Sequence, residues 1–118
     1  MRLTREMILT AKDLSFEIVD VPEWGGEVKV TTLTGTERDA FEASLIDQKR
    51  SGNTVNTKNI RAKLVSMVCV DDGGDRLFTP ADIEILGSKS ASALDRIFTV
   101  AQRLSKLTEA DMDELKGN

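Results

Sequence analysis

The chain is expected to adopt an α+β fold, mainly α-helical, with an N-terminal β-hairpin packed against a small helical bundle. Three observations carry that expectation. Two runs of alternating apolar and polar residues flank Val21-Pro22-Glu23-Trp24-Gly25-Gly26, the pattern of two half-buried strands joined by a turn. Four threonines stand where helix N-caps are needed. Residues 91–104 carry a helical apolar stripe.

The elements follow in order. Thr4 precedes Arg5-Glu6-Met7-Ile8-Leu9, with Leu3 and Ile8 spaced as a hydrophobic staple, so residues 1–9 contain a short helix. The hairpin occupies 14–32. Phe16, Ile18 and either Val19 or Val21 are expected to share one face, matched by Val28 and Val30 on the return strand. Pro22 ends the first strand because it cannot donate to the ladder. Gly25 and Gly26 permit the positive φ of a tight turn.

Residues 34–116 form the helical part. Thr34 and Glu37 read as a capping box. It opens a helix to about 49 with Ala40, Phe41, Leu45 and Ile46 on its apolar side. The polar, breaker-rich stretch 51–57 is expected to be a mobile loop. A helix follows near 58–70, with Ile60, Leu64, Met67 and Val68 on one stripe; the β-branched end Val68-Cys69-Val70 reads equally as a strand. Asp71-Asp72-Gly73-Gly74-Asp75 is a turn and 76–78 is extended. Thr79-Pro80-Ala81-Asp82 starts a helix, stapled by Phe78 and Ile83 and ended by Gly87 as a left-handed C′ residue. In the helix 90–104 the stripe is Ala91, Leu94, Ile97, Phe98, Ala101 and Leu104. Thr108 caps a last helix, 109–116, stapled by Leu107 and Met112. No repeat or composition shift divides the 118 residues, which read as one domain.

Composition narrows the function. With four Phe, one Trp and no Tyr, the core must be aliphatic. A net charge of −4 argues against nonspecific nucleic-acid binding, which needs a basic face. No apolar run approaches the roughly 20 residues of a membrane span, and a reducing cytoplasm is the expected compartment. The single Cys69, in an apolar run, reads as a buried, inert thiol. No His is present, which removes the commonest general base and metal ligand. The acidic 71–75 loop lacks the spacing and terminal Glu of a calcium hand and offers no donors to phosphate. The acidic residues of the last helix suit its macrodipole. No catalytic, metal or cofactor site is expected, and these patterns argue against an enzyme.

Trp24 reads first as a lid on a small core. As the only Trp it is also a candidate interface anchor. Val55 in the polar loop and Met112 and Leu115 in the last helix are the other candidate partner-binding residues, each with internal packing as its competing explanation.

Read in order, Val21-Pro22-Glu23-Trp24-Gly25-Gly26, Leu33-Thr34-Gly35-Thr36-Glu37-Arg38-Asp39, Val70-Asp71-Asp72-Gly73-Gly74-Asp75-Arg76-Leu77-Phe78 and Leu94-Asp95-Arg96-Ile97-Phe98 resemble the tail assembly chaperones of long-tailed bacteriophages, most closely the HK97 type. The resemblance implies a non-enzymatic role. Such a chaperone would bind the tape measure protein, keep it soluble, promote tube assembly around it and be absent from the finished virion. It also implies that the chain is the short product of a programmed frameshift, the longer form reaching the tail tube protein. Lys116-Gly117-Asn118 can be encoded with a slippery heptamer, G GGA AAY. Small subunits stacking along a long helical client are expected to self-associate weakly, as a spiral. The competing expectation is a tail-completion or connector protein retained in the virion.

Overall fold

The computed structural model of the chain describes residues 1–47, 54–55 and 59–105. Its centre is a three-stranded antiparallel sheet under two packed helices, an α+β arrangement as expected. Strand β1 (Phe16–Val21) pairs with β2 (Gly26–Thr31), and β2 pairs in turn with β5 (Cys69–Val70). Between the first two strands, Pro22–Trp24 makes a single 3₁₀ turn and Gly25 takes φ +74°. Gly26 has no positive φ and already belongs to the ladder.

The register corrects one expectation. Val19 lies opposite Val28 and Glu17 opposite Val30. Val19, Val21 and Val30 are buried, while Phe16 and Ile18 are exposed. Strand side chains alternate with a period of two, so residues 16 and 18 cannot share a face with 19 and 21. The apolar pair at 16 and 18 therefore lies on the outer face.

Helix α2 (Gly35–Ser44) starts at the expected capping box: Thr34 Oγ1 accepts from the Glu37 N–H at 3.1 Å and Glu37 Oε1 accepts from the Thr34 N–H at 2.9 Å. It ends at Ser44, short of 49. The next residues form β3 (Ile46–Asp47), paired antiparallel with β4 (Thr54–Val55). Ile, Thr and Val favour a ladder over a helix's last turn, so part of the expected loop 51–57 is a strand. Phe41 and Leu45 point into the core; Ala40 is exposed.

Helix α3 (Ile60–Val68) is more widely buried than a single stripe: Ala62, Leu64, Val65, Ser66 and Val68 are all enclosed. It stops at Cys69, which with Val70 extends the sheet, so the open choice at 68–70 falls to the strand. Asp71 Oδ1 then accepts from the Gly73 and Asp75 N–H groups, and Gly74 takes φ +89°. The chain folds back so that the Leu77 N–H donates to the Cys69 carbonyl at 3.0 Å.

At the next helix start, Asp82 Oδ2 accepts from the Thr79 N–H at 2.8 Å. A 3₁₀ turn (Pro80–Asp82) leads into α4 (Ile83–Gly87). Gly87 is its last residue, not a left-handed cap: the C-cap is Ser88, in the right-handed region. Helix α5 (Ala91–Leu104) is capped by Ser90 and packs on both α3 and the inner face of the sheet. Its buried residues are Ala93, Leu94, Ile97 and Ala101, with Phe98 and Leu104 at the margin; Ala91 is exposed instead. The core is aliphatic apart from Phe41 and Cys69. The expected last helix, 109–116, lies outside the described residues.

Candidate partner-binding surface

Residues 1–14 bury no side chain in this core, and the segment joins it at Ser15, whose carbonyl accepts from the Thr32 N–H at 3.0 Å. Helix α1 (Arg5–Leu9) begins as expected, with Thr4 Oγ1 accepting from the Met7 N–H at 3.2 Å, yet it buries no residue. Leu3 and Ile8, its expected staple, remain 61% and 57% exposed. Met7, Ile8 and Leu9 are consecutive, so at about 100° per residue they spread apolar groups over roughly 200° of the helix, the rest being held by the exposed Arg5–Glu6 pair. An isolated helix shorter than about 12 residues is marginal in water, and five residues without a core contact need something to pack on.

The exposed apolar residues continue through Leu14 to Phe16 and Ile18 on the outer face of β1. Of the eleven large hydrophobics exposed among the described residues, eight fall within residues 1–18. The Lys29 ammonium lies 4.2 Å from the Phe16 ring centroid, a cation–π contact on that outer face.

The body beside this surface is clamped. Arg96 Nε donates to both carboxylate oxygens of Glu23, at 2.8 and 3.1 Å, and Arg103 reaches Glu17 at 2.7 Å. Two rungs thus tie α5 to the two ends of the hairpin. The Glu23 carboxyl accepts from its own backbone N–H and from Arg96, which holds its pKa below the usual glutamate value.

Of the four residues picked from sequence, the structure describes Trp24 and Val55, which lie in different elements. Trp24 sits in the 3₁₀ turn, which packs on α5, and keeps 37% of its surface exposed. Val55 lies in β4 opposite Ile46. Met112 and Leu115 lie outside the described residues. The exposed arm was missed because Leu3 and Ile8 had a local explanation as a staple, and Phe16 and Ile18 had one as core. A signal was present: Phe16-Glu17-Ile18-Val19-Asp20-Val21 carries apolar residues on both faces of one strand.

Other chemistry is quiet. Cys69 is fully enclosed, and burial pushes its thiol up to about 12. Among the described residues no cluster of His, Cys, Asp or Glu could hold a metal ion. None of the described helices is long and apolar enough to cross a membrane. In the groove between the start of α3 and α5, Arg61 is paired with Asp95.

The arrangement matches a solved structure, the bacteriophage HK97 tail assembly chaperone. The TM-score is 0.59 at 17% identity, over 84% of this chain and 94% of that one. The chain has the fold of that chaperone. No protein-family model and no curated protein matches its sequence. At this identity the likeness is one of fold, and it extends over nearly the whole tail assembly chaperone, with no large part of that chain left unmatched.

Proposed function

We propose that the protein is a non-enzymatic tail assembly chaperone of a long-tailed phage. It binds the tape measure protein in the host cytoplasm, keeps it soluble while tail tube subunits gather around it, and leaves before the virion is complete. The carrying observation is the fold likeness to the HK97 tail assembly chaperone over 84% of the chain. The exposed apolar arm supports the reading physically, because a holdase must offer apolar surface beyond what its own core consumes. Under this reading the chain also self-associates along its client, and a longer frameshifted form links it to the tail tube protein.

Co-expression with the tape measure protein of the same genome, tagged on the tape measure only, tests the proposal. A soluble complex, with the tape measure insoluble when alone, is the expected result. An insoluble tape measure with this chain left free, or this chain recovered from purified particles by mass spectrometry, overturns it in favour of a structural tail protein.

A further inference from the structure

We infer that the open edge of β1 is a self-association site, where β1 pairs antiparallel with β1 of a second copy about a two-fold axis. The inference rests on the sheet alone and not on the chaperone reading. The chain itself closes the opposite edge of the sheet. There the Leu77 N–H donates to the Cys69 carbonyl, and Arg76 forms a β-bridge with Val70. The β1 edge has no such cover. The Ser15 carbonyl accepts from the Thr32 N–H, and the register carries that bonded pairing on to Glu17, Val19 and Val21. The backbone groups of Phe16, Ile18 and Asp20 therefore point away from β2, and among the described residues no hydrogen bond reaches them. Proteins blunt such edges with lysine, proline or a bulge. Phe16–Val21 contains none of these: its six residues pair without interruption, and Phe16 and Ile18 are 58% and 49% exposed beside the bare edge.

A copy of β1 fits this edge in one register. With Ile18 opposite Ile18 of the second copy, Phe16 of each chain faces Asp20 of the other. Every outward-facing backbone group of both strands is then used, in bonded pairs that exchange about six hydrogen bonds. Sliding the pairing one period toward the turn would need an N–H from Pro22, which has none. Sliding it the other way carries it past the start of β1. Charge selects the same register. Asp20 stands directly opposite Glu27, and like charges so placed repel. Lys29 holds its ammonium 4.2 Å from the Phe16 ring centroid on that outer face. Because Phe16 faces Asp20 of the other chain, each Lys29 is brought to the other chain's Asp20–Glu27 pair. Between them Ile18 and its copy meet as an apolar pair. On the inner face Glu17 lies opposite Val19 of the second copy and keeps its own Arg103. A strand from another protein would have to carry this pattern of apolar and charged residues independently. A two-fold copy supplies it and removes both open edges at once.

The test is the association state of the full chain, followed by sedimentation equilibrium up to millimolar concentration. A reversible dimer is expected. Ile18→Lys sets a charge on the edge and is expected to weaken the dimer about tenfold or more. The melting curve of the dilute chain stays unchanged, since Ile18 is exposed. Asp20→Lys and Lys29→Asp are each expected to weaken the dimer about threefold or more, and the double swap to restore it. Restoration fixes both the partner strand and the register. Ile18→Cys is expected to link two chains on oxidation, because directly opposed residues of a bonded pair lie about 5.5 Å apart. Ile85→Cys, exposed on α4, is the control that stays unlinked. A chain that remains monomeric throughout overturns the inference. So does a dimer that survives Ile18→Lys, one that the double swap fails to restore, or association that Ile8→Asp abolishes and Ile18→Lys does not. Rescue of the tape measure protein by a chain that never pairs sinks this inference and leaves the chaperone reading standing. Pairing without rescue does the reverse.

Discussion

Gly87 closes against Asn59. A Cβ built on Gly87 would meet Asn59 Oδ1 at 2.5 Å and Cγ at 3.1 Å. Asn59 is itself the N-cap of α3 and sits at φ +58°, the sole non-glycine at positive φ among the described residues. The end of α4 and the start of α3 thus meet through one residue that lacks a side chain and one held in the left-handed region. Asn tolerates that region better than most residues and glycine better still.

The pair predicts a non-additive cycle. Gly87→Ala gains helix propensity but forces the Asn59 amide to move, so it is expected to destabilise the domain by about 1 kcal/mol. Asn59→Gly removes both the obstacle and the strain. The double variant is therefore expected to recover the loss and to show a coupling of about 1 kcal/mol in chemical denaturation. Strict additivity would count against the close approach.

Burial predicts a contrast between two isoleucines. Ile97 is fully enclosed where α5 meets the sheet and α3, while Ile8 is 57% exposed. Ile97→Ala is expected to cost about 2–5 kcal/mol through lost transfer and a cavity. Ile8→Ala is expected to stay within about 0.5 kcal/mol. Urea titrations of the two variants give the comparison; a large loss in Ile8→Ala would mean that the arm packs on the domain.

Acid is expected to weaken the fold through Glu37 and Glu23. Partial burial pushes the Glu37 carboxyl up, but the Thr34 N–H and then the Arg76 guanidinium, 2.6 Å away, outweigh it and leave its pKa below the ordinary value of 4.5. A carboxyl whose folded pKa is depressed stabilises above its unfolded pKa and loses that contribution as pH falls through the folded one. Thermal melts should therefore hold steady from pH 7 to about 5 and fall below about 4.5. Glu37→Gln keeps a capping partner and loses the charge pair. It should cost less than about 1 kcal/mol at pH 7 and flatten the acid limb. An unaltered limb in Glu37→Gln combined with Glu23→Gln would reject this assignment.

Thiol chemistry reports on opening of the sheet edge. Only the thiolate attacks a disulfide reagent, and burial pushes the Cys69 thiol to about 12. At pH 8 the folded chain is expected to react with an aromatic disulfide reagent only as fast as it opens, and within seconds once denatured. Rapid stoichiometric labelling of the folded chain would show that β5 exchanges freely with solvent.

The sequence by itself determined the features that depend on near neighbours. The Thr34–Glu37 capping box, the Thr4 cap, the Gly25 turn and the helix beginning at Ser90 are closed by groups within a few residues. Tertiary structure decided the rest, because each outcome required a partner remote in sequence. Cys69 and Val70 became a strand because β2 offered an open edge. The helix after Thr34 stopped at Ser44, and Ile46–Asp47 paired with Thr54–Val55. Gly87 is needed for Asn59, twenty-eight residues earlier, and not for a left-handed cap. The inward face of β1 went to Val19 and Val21 because α5 packs there, leaving Phe16 and Ile18 outside. The arm was hidden from sequence reading for the same reason: apolar spacing shows that residues seek burial, and only the packed domain shows that its own core is already filled without them.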